Sequence, residues 1–449
     1  MLRLVGESFT HNRAVCLAPT TTMNATPKPQ VCVVGVGYVG EHLACVFARK
    51  FLVLGCEVSA ARVDHLKRVH GAHPNLEFAT SPDRAVDADL FCIAVPTPIR
   101  AGGAGGIDLT YLDAAVATVA GLAKPGAAVV VESSVAVGTT RRVLSPLRER
   151  GLFIGFSPER VDPGRVDPPA HAVPKVLAAI DEPSMDRLQT LYGAVFDHVV
   201  SVSTLETAEM SKLFENCFRL VNIAYANEIA DACAGHGIDP YEMVTACATK
   251  PYGYMPFVPG LGAGGPCIPV NPHYLLVNND LPLLERAMRA NAGRPAARAA
   301  ALVAKHPSAS RILVSGIGFK PGQALTIHSP GLELAQALSR LGKAVTVHDP
   351  LAGAGKADVD GLAVLNENDW TVAALVQHFD LVCIAMPQAG VDFGVLAGSA
   401  VPIEWLCAPV AGQTAPAVAV TEVQAAPGLA PATCQTWSVR PQLAPGQGH

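Results

Sequence analysis

The chain lacks any apolar run approaching the roughly 20 residues needed to cross a bilayer, although 50% of its residues are hydrophobic. A membrane partner is therefore not expected. It also lacks a basic stripe: 33 Lys+Arg stand against 38 Asp+Glu, for a formal charge of −5. Binding a phosphate backbone needs clustered cations, so nucleic acid is not an expected partner either. Its 12 cysteines are scattered singly, with neither the paired spacing of a zinc site nor the dense framework of a small secreted scaffold. No metal is expected, and a reducing, cytoplasmic compartment is. At 449 residues the chain is long enough for about three ordinary domains.

What is present is a sequence of alternating apolar runs and helical stretches. Val31 to Val34 ends in Gly35, Gly37 and Gly40, and a helical stretch from Glu41 to Lys50 follows; this reads as strand, tight turn, helix. Further strands are suggested at Phe51 to Leu54, Leu90 to Val95 and Ala128 to Glu132. The alternation predicts an α/β fold with a doubly wound parallel sheet. From Leu205 to about Ala234 the pattern is helical, with Met210, Leu213, Phe214, Cys217 and Val221 on one face and Glu209, Lys212, Asn216 and Arg219 on the other. A helix of roughly 30 residues spans ~45 Å, enough to link two domains while its polar face lines a cleft. Arg311 to Ser315, Leu332 to Leu341 and Ala344 to Val347, closing on Asp349, predict a second doubly wound unit. The expected division is a disordered leader (1–28), a dinucleotide-binding domain (29–200), a central helical domain (201–300), a second Rossmann-like domain (301–400) and a disordered tail (401–449) whose Ala, Pro, Gly and Gln composition supports little packing.

A glycine triplet of this kind is weak evidence alone. Here it follows a strand, opens a helix, and has an acid, Glu57, placed 22 positions after Gly35. The glycines let the backbone approach a pyrophosphate at a helix N-terminus, and Glu57 is placed to hold ribose hydroxyls while repelling a 2′-phosphate, which favours NAD. The competing reading is a purely structural turn. Most cysteines in an apolar chain are small core residues; Cys267 differs because it lies in Gly260-Leu-Gly-Ala-Gly-Gly-Pro-Cys267, a flexible loop that leaves a thiol accessible. Lys212 and Asn216, four apart, share a helix face, but Lys212 pairing with Glu209 or Glu215 in solvent remains open, as does Glu159 serving only as an acid near a turn.

Taken together, Val-Gly-Val-Gly-Tyr-Val-Gly (34–40), Val-Pro-Thr-Pro (95–98), Glu-Ser-Ser-Val (132–135), Phe-Ser-Pro-Glu-Arg (156–160), Ala-Glu-Met-Ser-Lys-Leu-Phe-Glu-Asn (208–216), Asn-Ile-Ala (222–224), Gly-Gly-Pro-Cys-Ile-Pro (264–269) and Gly-Phe-Lys-Pro (318–321) resemble the UDP-glucose/GDP-mannose dehydrogenase family. The resemblance is closer to the branch acting on UDP-N-acetylhexosamines. It implies two Rossmann-like domains joined by a long helix that also forms a homodimer, and an NAD-dependent oxidation of a UDP-sugar alcohol to the acid. It implies Cys267 as nucleophile, Lys212 and Asn216 at the developing oxyanion, Glu159 in general acid/base steps and Ser134 positioning water. Gly35, Gly37, Tyr38, Val39, Gly40, Glu57, Arg62, Thr97 and Ser134 fall at dinucleotide positions. Arg160, Val161, Lys212, Asn216, Arg219, Lys250, Gly264, Phe319 and Lys320 fall where the family holds the nucleotide sugar.

The chain departs from the family's pattern in places. Pro266 and Asn271 replace the usual His and Asp around the thiol, so Asn271, at a catalytic position, cannot accept a proton. Leu325 and Ile327 stand where an Asp and an Arg are usual, a loss worth about 1.5–3 kcal/mol for one charged hydrogen bond. Ala178 and Ala179 replace a Gly-Gly pair. Two other readings stay open at this stage: a catalytically impaired relative that binds NAD or a nucleotide sugar, and a two-electron hydroxyacid dehydrogenase with a catalytic Lys and no need of a thiol.

Overall fold

The computed structural model describes residues 30–100, 106–162 and 167–410. The expected leader and the tail beyond residue 410 lie outside the described residues. Among those residues the first unit contains β1 (Gln30–Val34), α1 (Tyr38–Ala48), β2 (Leu52–Cys56), α2 (Ala60–His70), β3 (Leu76–Ala79), β4 (Leu90–Ile93), α3 (Thr110–Leu122), β5 (Ala128–Val131), α4 (Thr139–Leu144), β6 (Phe153–Phe156), β7 (Lys175–Ala179), α5 (Glu182–Gly193) and β8 (Val199–Ser201). Its strands form one sheet in the order β3-β2-β1-β4-β5-β6-β7-β8, parallel throughout except where β7 runs antiparallel to β6.

Alternate residues of these strands feed two cores, which is why the strands read as unbroken apolar runs. Val31 and Val33 pack with Leu43, Phe47 and Leu66 on one side, while Cys32 packs with Phe91, Leu112 and Val129 on the other. Helices cover both faces, and the loops at the C-terminal ends of β1, β4 and β5 are left to bind ligand.

The chain then enters α6 (Leu205–Gly235), a helix of 31 residues opened by Thr204, whose hydroxyl accepts from the Thr207 amide. It is followed by α7 (Pro240–Ala248), α8 (Asn271–Leu276) and α9 (Pro282–Lys305). The observed polarity of α6 corrects the expected one. Leu213 and Cys217 are buried, but so are Glu209 and Asn216, whereas Met210 and Phe214 are exposed. The face turned inward can carry polar groups because each has a partner: Glu209 accepts from the Gly138 and Thr140 amides at 2.6 and 2.8 Å, and Asn216 bonds Asn271. Spacing alone could not reveal such partners.

The second unit comprises β9 (Arg311–Ser315), α10 (Pro330–Arg340), β10 (Ala344–His348), β11 (Asp358–Val359), β12 (Leu362–Val364), α11 (Val372–His378), β13 (Leu381–Ile384), α12 (Gly394–Ala397) and β14 (Ile403–Trp405). Its sheet runs β11-β12-β10-β9-β13-β14. The strand β14 corrects the expectation of a structureless segment from residue 401: Ile403–Trp405 pairs in parallel with Val382, Cys383 and Ile384. Three residues suffice because Trp405 and Ile403 pack on the Phe393 and Leu396 core.

Candidate active site

The turn after β1 is held open for a ligand. Gly35 has φ +86°, and a Cβ there would lie 2.6 Å from the Ala94 carbonyl oxygen, whereas a Cβ on Gly37 would meet nothing within 4 Å. The first glycine is thus fixed by the fold, and the second leaves free space at the N-terminus of α1, where amides and the helix dipole favour an anion. The Glu57 carboxylate, just past β2, accepts from the Val36 amide at 3.1 Å and the Ser59 amide at 3.2 Å. Arg62 is held to Glu41 at 2.5 Å and to the Val36 carbonyl at 3.2 Å. Tyr38 is exposed on the first turn of α1 and Val39 packs partly on the core. These features fit a dinucleotide: a pyrophosphate at the turn, a ribose at Glu57.

At the C-terminal ends of the neighbouring strands β4 and β5, the Thr97 hydroxyl donates to the Ser134 carbonyl oxygen at 2.8 Å and lies 3.0 Å from the Tyr274 hydroxyl. Tyr274 sits on α8, the short helix that starts at Asn271. The Cys267 carbonyl accepts from the Asn271 amide at 2.9 Å, so the thiol loop and α8 are one piece. That piece is laid on the second unit: a Cβ on Gly264 would lie 2.8 Å from the Pro330 ring and 2.9 Å from the His328 carbonyl oxygen, and Phe319 fills the space beside Gly265. Only glycine fits so close an approach.

Lys212 links this group by charge: it acts on both Cys267 and Glu159, and Arg219 also acts on Cys267. Crowding by surrounding protein pushes the Cys267 thiol up, while the Lys212 and Arg219 charges pull it back. Burial pulls the Lys212 ammonium down, countered by Cys267 and Glu159. Among the described residues Lys212 makes no hydrogen bond, so it is not the solvated partner of Glu209 or Glu215. Asn216 Nδ2 donates to Asn271 Oδ1 at 2.5 Å, with both side chains buried. Glu159 Oε1 accepts from the Arg160 and Val161 amides at 2.6 and 2.7 Å. Burial pushes the Glu159 carboxyl up, but Lys175, those amides and Lys212 together hold it below its ordinary value. A thiol and an ionised carboxylate linked by charge through an amine of depressed basicity, with two bonded carboxamides one helical turn along, can add to, polarise and deprotonate a carbonyl-level substrate.

Two family models match the chain: the NAD binding domain of the UDP-glucose/GDP-mannose dehydrogenase family over residues 29–196, and that family's central domain over 206–292. The chain belongs to the UDP-glucose/GDP-mannose dehydrogenase family. It is 32% identical over 401 residues to the UDP-N-acetyl-D-mannosamine dehydrogenase of Salmonella typhi, covering 79% of this chain and 94% of that one. To the enzyme of that name from Pyrococcus horikoshii it is 31% identical over 352 residues, 72% of this chain and 83% of the relative. The solved UDP-D-ManNAc dehydrogenase of Pyrococcus horikoshii superposes with a TM-score of 0.73 at 26% identity, covering 84% of this chain and 99% of that one. A UDP-glucose dehydrogenase from Pyrobaculum islandicum gives 0.75 at 25% identity, covering 86% and 96%. This member is accordingly an NAD-dependent nucleotide-sugar dehydrogenase with two Rossmann-like units.

Not every residue expected at a family position is free for ligand. Arg160 is held by Glu215 at 2.7 Å and the Pro174 carbonyl at 2.9 Å. Lys320 reaches across from the second unit to Asp162 at 2.8 Å. Lys250, past α7, is not gathered into the Cys267 group; its ammonium lies 5.2 Å over the Tyr252 ring. Leu325 and Ile327, at the positions of the missing charges, are about half exposed, at 50% and 47%. Sequence reasoning missed Glu132, Lys175, Tyr192 and Tyr274. A signal did exist for Lys175: a cation opening the otherwise apolar run Lys-Val-Leu-Ala-Ala, which becomes a wholly buried strand, must have a buried partner.

Proposed function

We propose that the chain oxidises the C6 alcohol of a UDP-N-acetylhexosamine, with UDP-N-acetylmannosamine the first candidate, to the corresponding uronate through a covalent adduct on Cys267. The observation that carries the reading is that Lys212 acts by charge on both Cys267 and Glu159, with the bonded Asn216–Asn271 pair one helical turn along α6. The names of the relatives support the sugar.

Gly35, Gly37 and Gly40 would hold the pyrophosphate of NAD and Glu57 its ribose, and the cofactor would supply the hydride acceptor twice. Arg62, Tyr38, Val39, Thr97 and Ser134 complete that side, and Arg160, Val161, Arg219, Gly264, Phe319 and Lys320 line the sugar nucleotide's side, with Lys250 more remote. In the first half, Lys212 takes the C6 hydroxyl proton as hydride leaves C6, giving an aldehyde. Cys267 Sγ bonds to that carbon, and its proton passes to the new oxygen while the Lys212 ammonium and the Asn216 amide steady the charge. In the second half the hemithioacetal gives up its hydroxyl proton and a hydride, leaving a thioester. Glu159 takes a proton from water, which breaks the C–S bond and releases carboxylate and thiol.

Asn271 changes the last step. Its carboxamide accepts no proton and is committed to Asn216, so hydrolysis falls to Glu159 alone and the thioester persists. Dimerisation belongs to the same proposal: Met210, Phe214, Phe218 and Tyr225 form an exposed stripe on α6 suited to a second copy of the chain. Intact-protein mass spectrometry during turnover with UDP-N-acetylmannosamine, UDP-N-acetylglucosamine or UDP-glucose tests the reading. A substrate-dependent adduct on Cys267, absent in Cys267→Ala, is the expected result. Turnover with no adduct under any condition, and unchanged in Cys267→Ala, would contradict it.

A further inference from the structure

Behind Glu159 lies a charged group that the reaction above does not use. Lys175, on the first position of β7, is 3% exposed at its side chain and pairs with Glu132, whose side chain is wholly buried, at 2.7 Å. Its ammonium also donates to the Pro158 carbonyl at 3.0 Å and lies 3.7 Å from Glu159 Oε2. Glu132, at the end of β5, accepts in addition from the Tyr192 hydroxyl at 2.6 Å. Two carboxylates therefore compete for one buried ammonium, and one of them, Glu159, also acts on Lys212, whose charge bears on the thiol.

We propose that Lys175 is a positioning residue for Glu159: clamped by Glu132 and the Pro158 carbonyl, it fixes the orientation of the Glu159 carboxylate and keeps it charged, with Glu132 setting how much of that charge Glu159 receives. Replacing an apolar strand residue by a Lys–Glu pair is a poor route to stability, so the pair's retention beside a reactive carboxylate calls for another role. The Lys175 charge is the largest influence opposing the effect of burial on Glu159, and burial pushes the Glu132 carboxyl up even with Lys175 alongside. Around Glu159 stand Lys175 from β7, Lys212 from α6, Tyr38 and His42 from α1, Glu132 after β5, and Arg160 and Asp162 on its own loop. The Glu132 carboxyl, pushed up to about 7 by burial, is itself removed in two of the variants below, while His42, held below the ordinary imidazole value by burial, is kept in all of them, so its contribution is common to all.

The inference rests on the proposed role of Glu159, and the test separates the two. Glu132→Gln leaves Lys175 to Glu159 alone, so the acid limb of the kcat/KM profile with NAD and UDP-N-acetylmannosamine moves to lower pH. Lys175→Met moves it to higher pH, with a loss on the plateau smaller than the ~100-fold of removing a general base outright. Because Lys175→Met orphans a buried carboxylate and so weakens the fold, the double variant Lys175→Met/Glu132→Gln serves as the second arm, also with the limb at higher pH. A merely structural role lowers the melting temperature and leaves the limb in place in both variants, or shifts it the same way in both; either overturns the proposal. The Glu159 carboxyl is followed in parallel by 13C NMR, assigned with Glu159→Gln. If the wild type yields no NADH with any UDP-sugar, the proposed function fails, while opposite carboxyl shifts still uphold the Lys175 inference and unmoved ones still overturn it.

Discussion

The two Rossmann-like units begin with the same device and use it differently. After β1, Gly35 sits at φ +86°, Gly40 packs on the Gly35 carbonyl, and an acid, Glu57, follows the next strand. After β9, Gly316 sits at φ +90°, Gly331 packs on the Gly316 carbonyl, and an acid, Asp349, follows the next strand. In the first unit a Cβ on the middle glycine, Gly37, meets nothing within 4 Å, and among the described residues Glu57 accepts from two amides. In the second, Gly318 is closed in by the Gln323 carbonyl at 2.6 Å and the Gln388 amide at 2.9 Å from its Cβ position. Asp349 is 1% exposed and accepts from the amides of Ile317, Gly318, Leu351 and Ala352 and from Gln388. A strand-glycine-helix turn thus makes a dinucleotide site only where the chain leaves its amides and its acid unspent; elsewhere the same atoms knit the fold.

Four substitutions break or sharpen that contrast. Asp349→Ala orphans four amides, three of them buried, and should cost about 3 kcal/mol of stability, read by chemical denaturation, with NAD affinity changed less than about twofold. Gly37→Val fills the open turn and should weaken NAD binding about 100-fold, or ~2.7 kcal/mol, in calorimetry, with the melting temperature almost unchanged because the side chain meets nothing. Glu57→Gln loses the charged contact to the ribose, so NAD binding should fall about tenfold, or ~1.4 kcal/mol, while discrimination against NADP relaxes. Gln388→Ala opens part of the second turn and should cost about 1 kcal/mol without creating any NAD site; a second equivalent of bound NAD would contradict the comparison.

Much of this was legible in the sequence wherever one residue type has one structural use. The runs at Val31 to Val34 and Arg311 to Ser315 and the glycines at 35, 37 and 40 locate the two units, and the position of Glu57 follows from the length of one helix and one strand. The thiol loop is legible because so many glycines around one cysteine serve no core. What spacing hides is pairing across long separations. Lys175 meets Glu132 over 43 residues and Lys320 meets Asp162 over 158, so a cation expected to bind substrate can be already engaged. The inward face of α6 is hidden for the same reason, since Glu209 and Asn216 are buried only because partners on α4 and α8 receive them.

The most direct test of the proposed chemistry is the amount of NADH formed per UDP-N-acetylmannosamine consumed, by wild type and by Cys267→Ala. Two equivalents from the wild type, slowed at the end by a lingering thioester that Asn271→Asp releases, and no uronate from Cys267→Ala, is the predicted result. One equivalent per sugar, or two from Cys267→Ala as well, would contradict a covalent four-electron oxidation and leave a simple alcohol dehydrogenase or a thiol without a role.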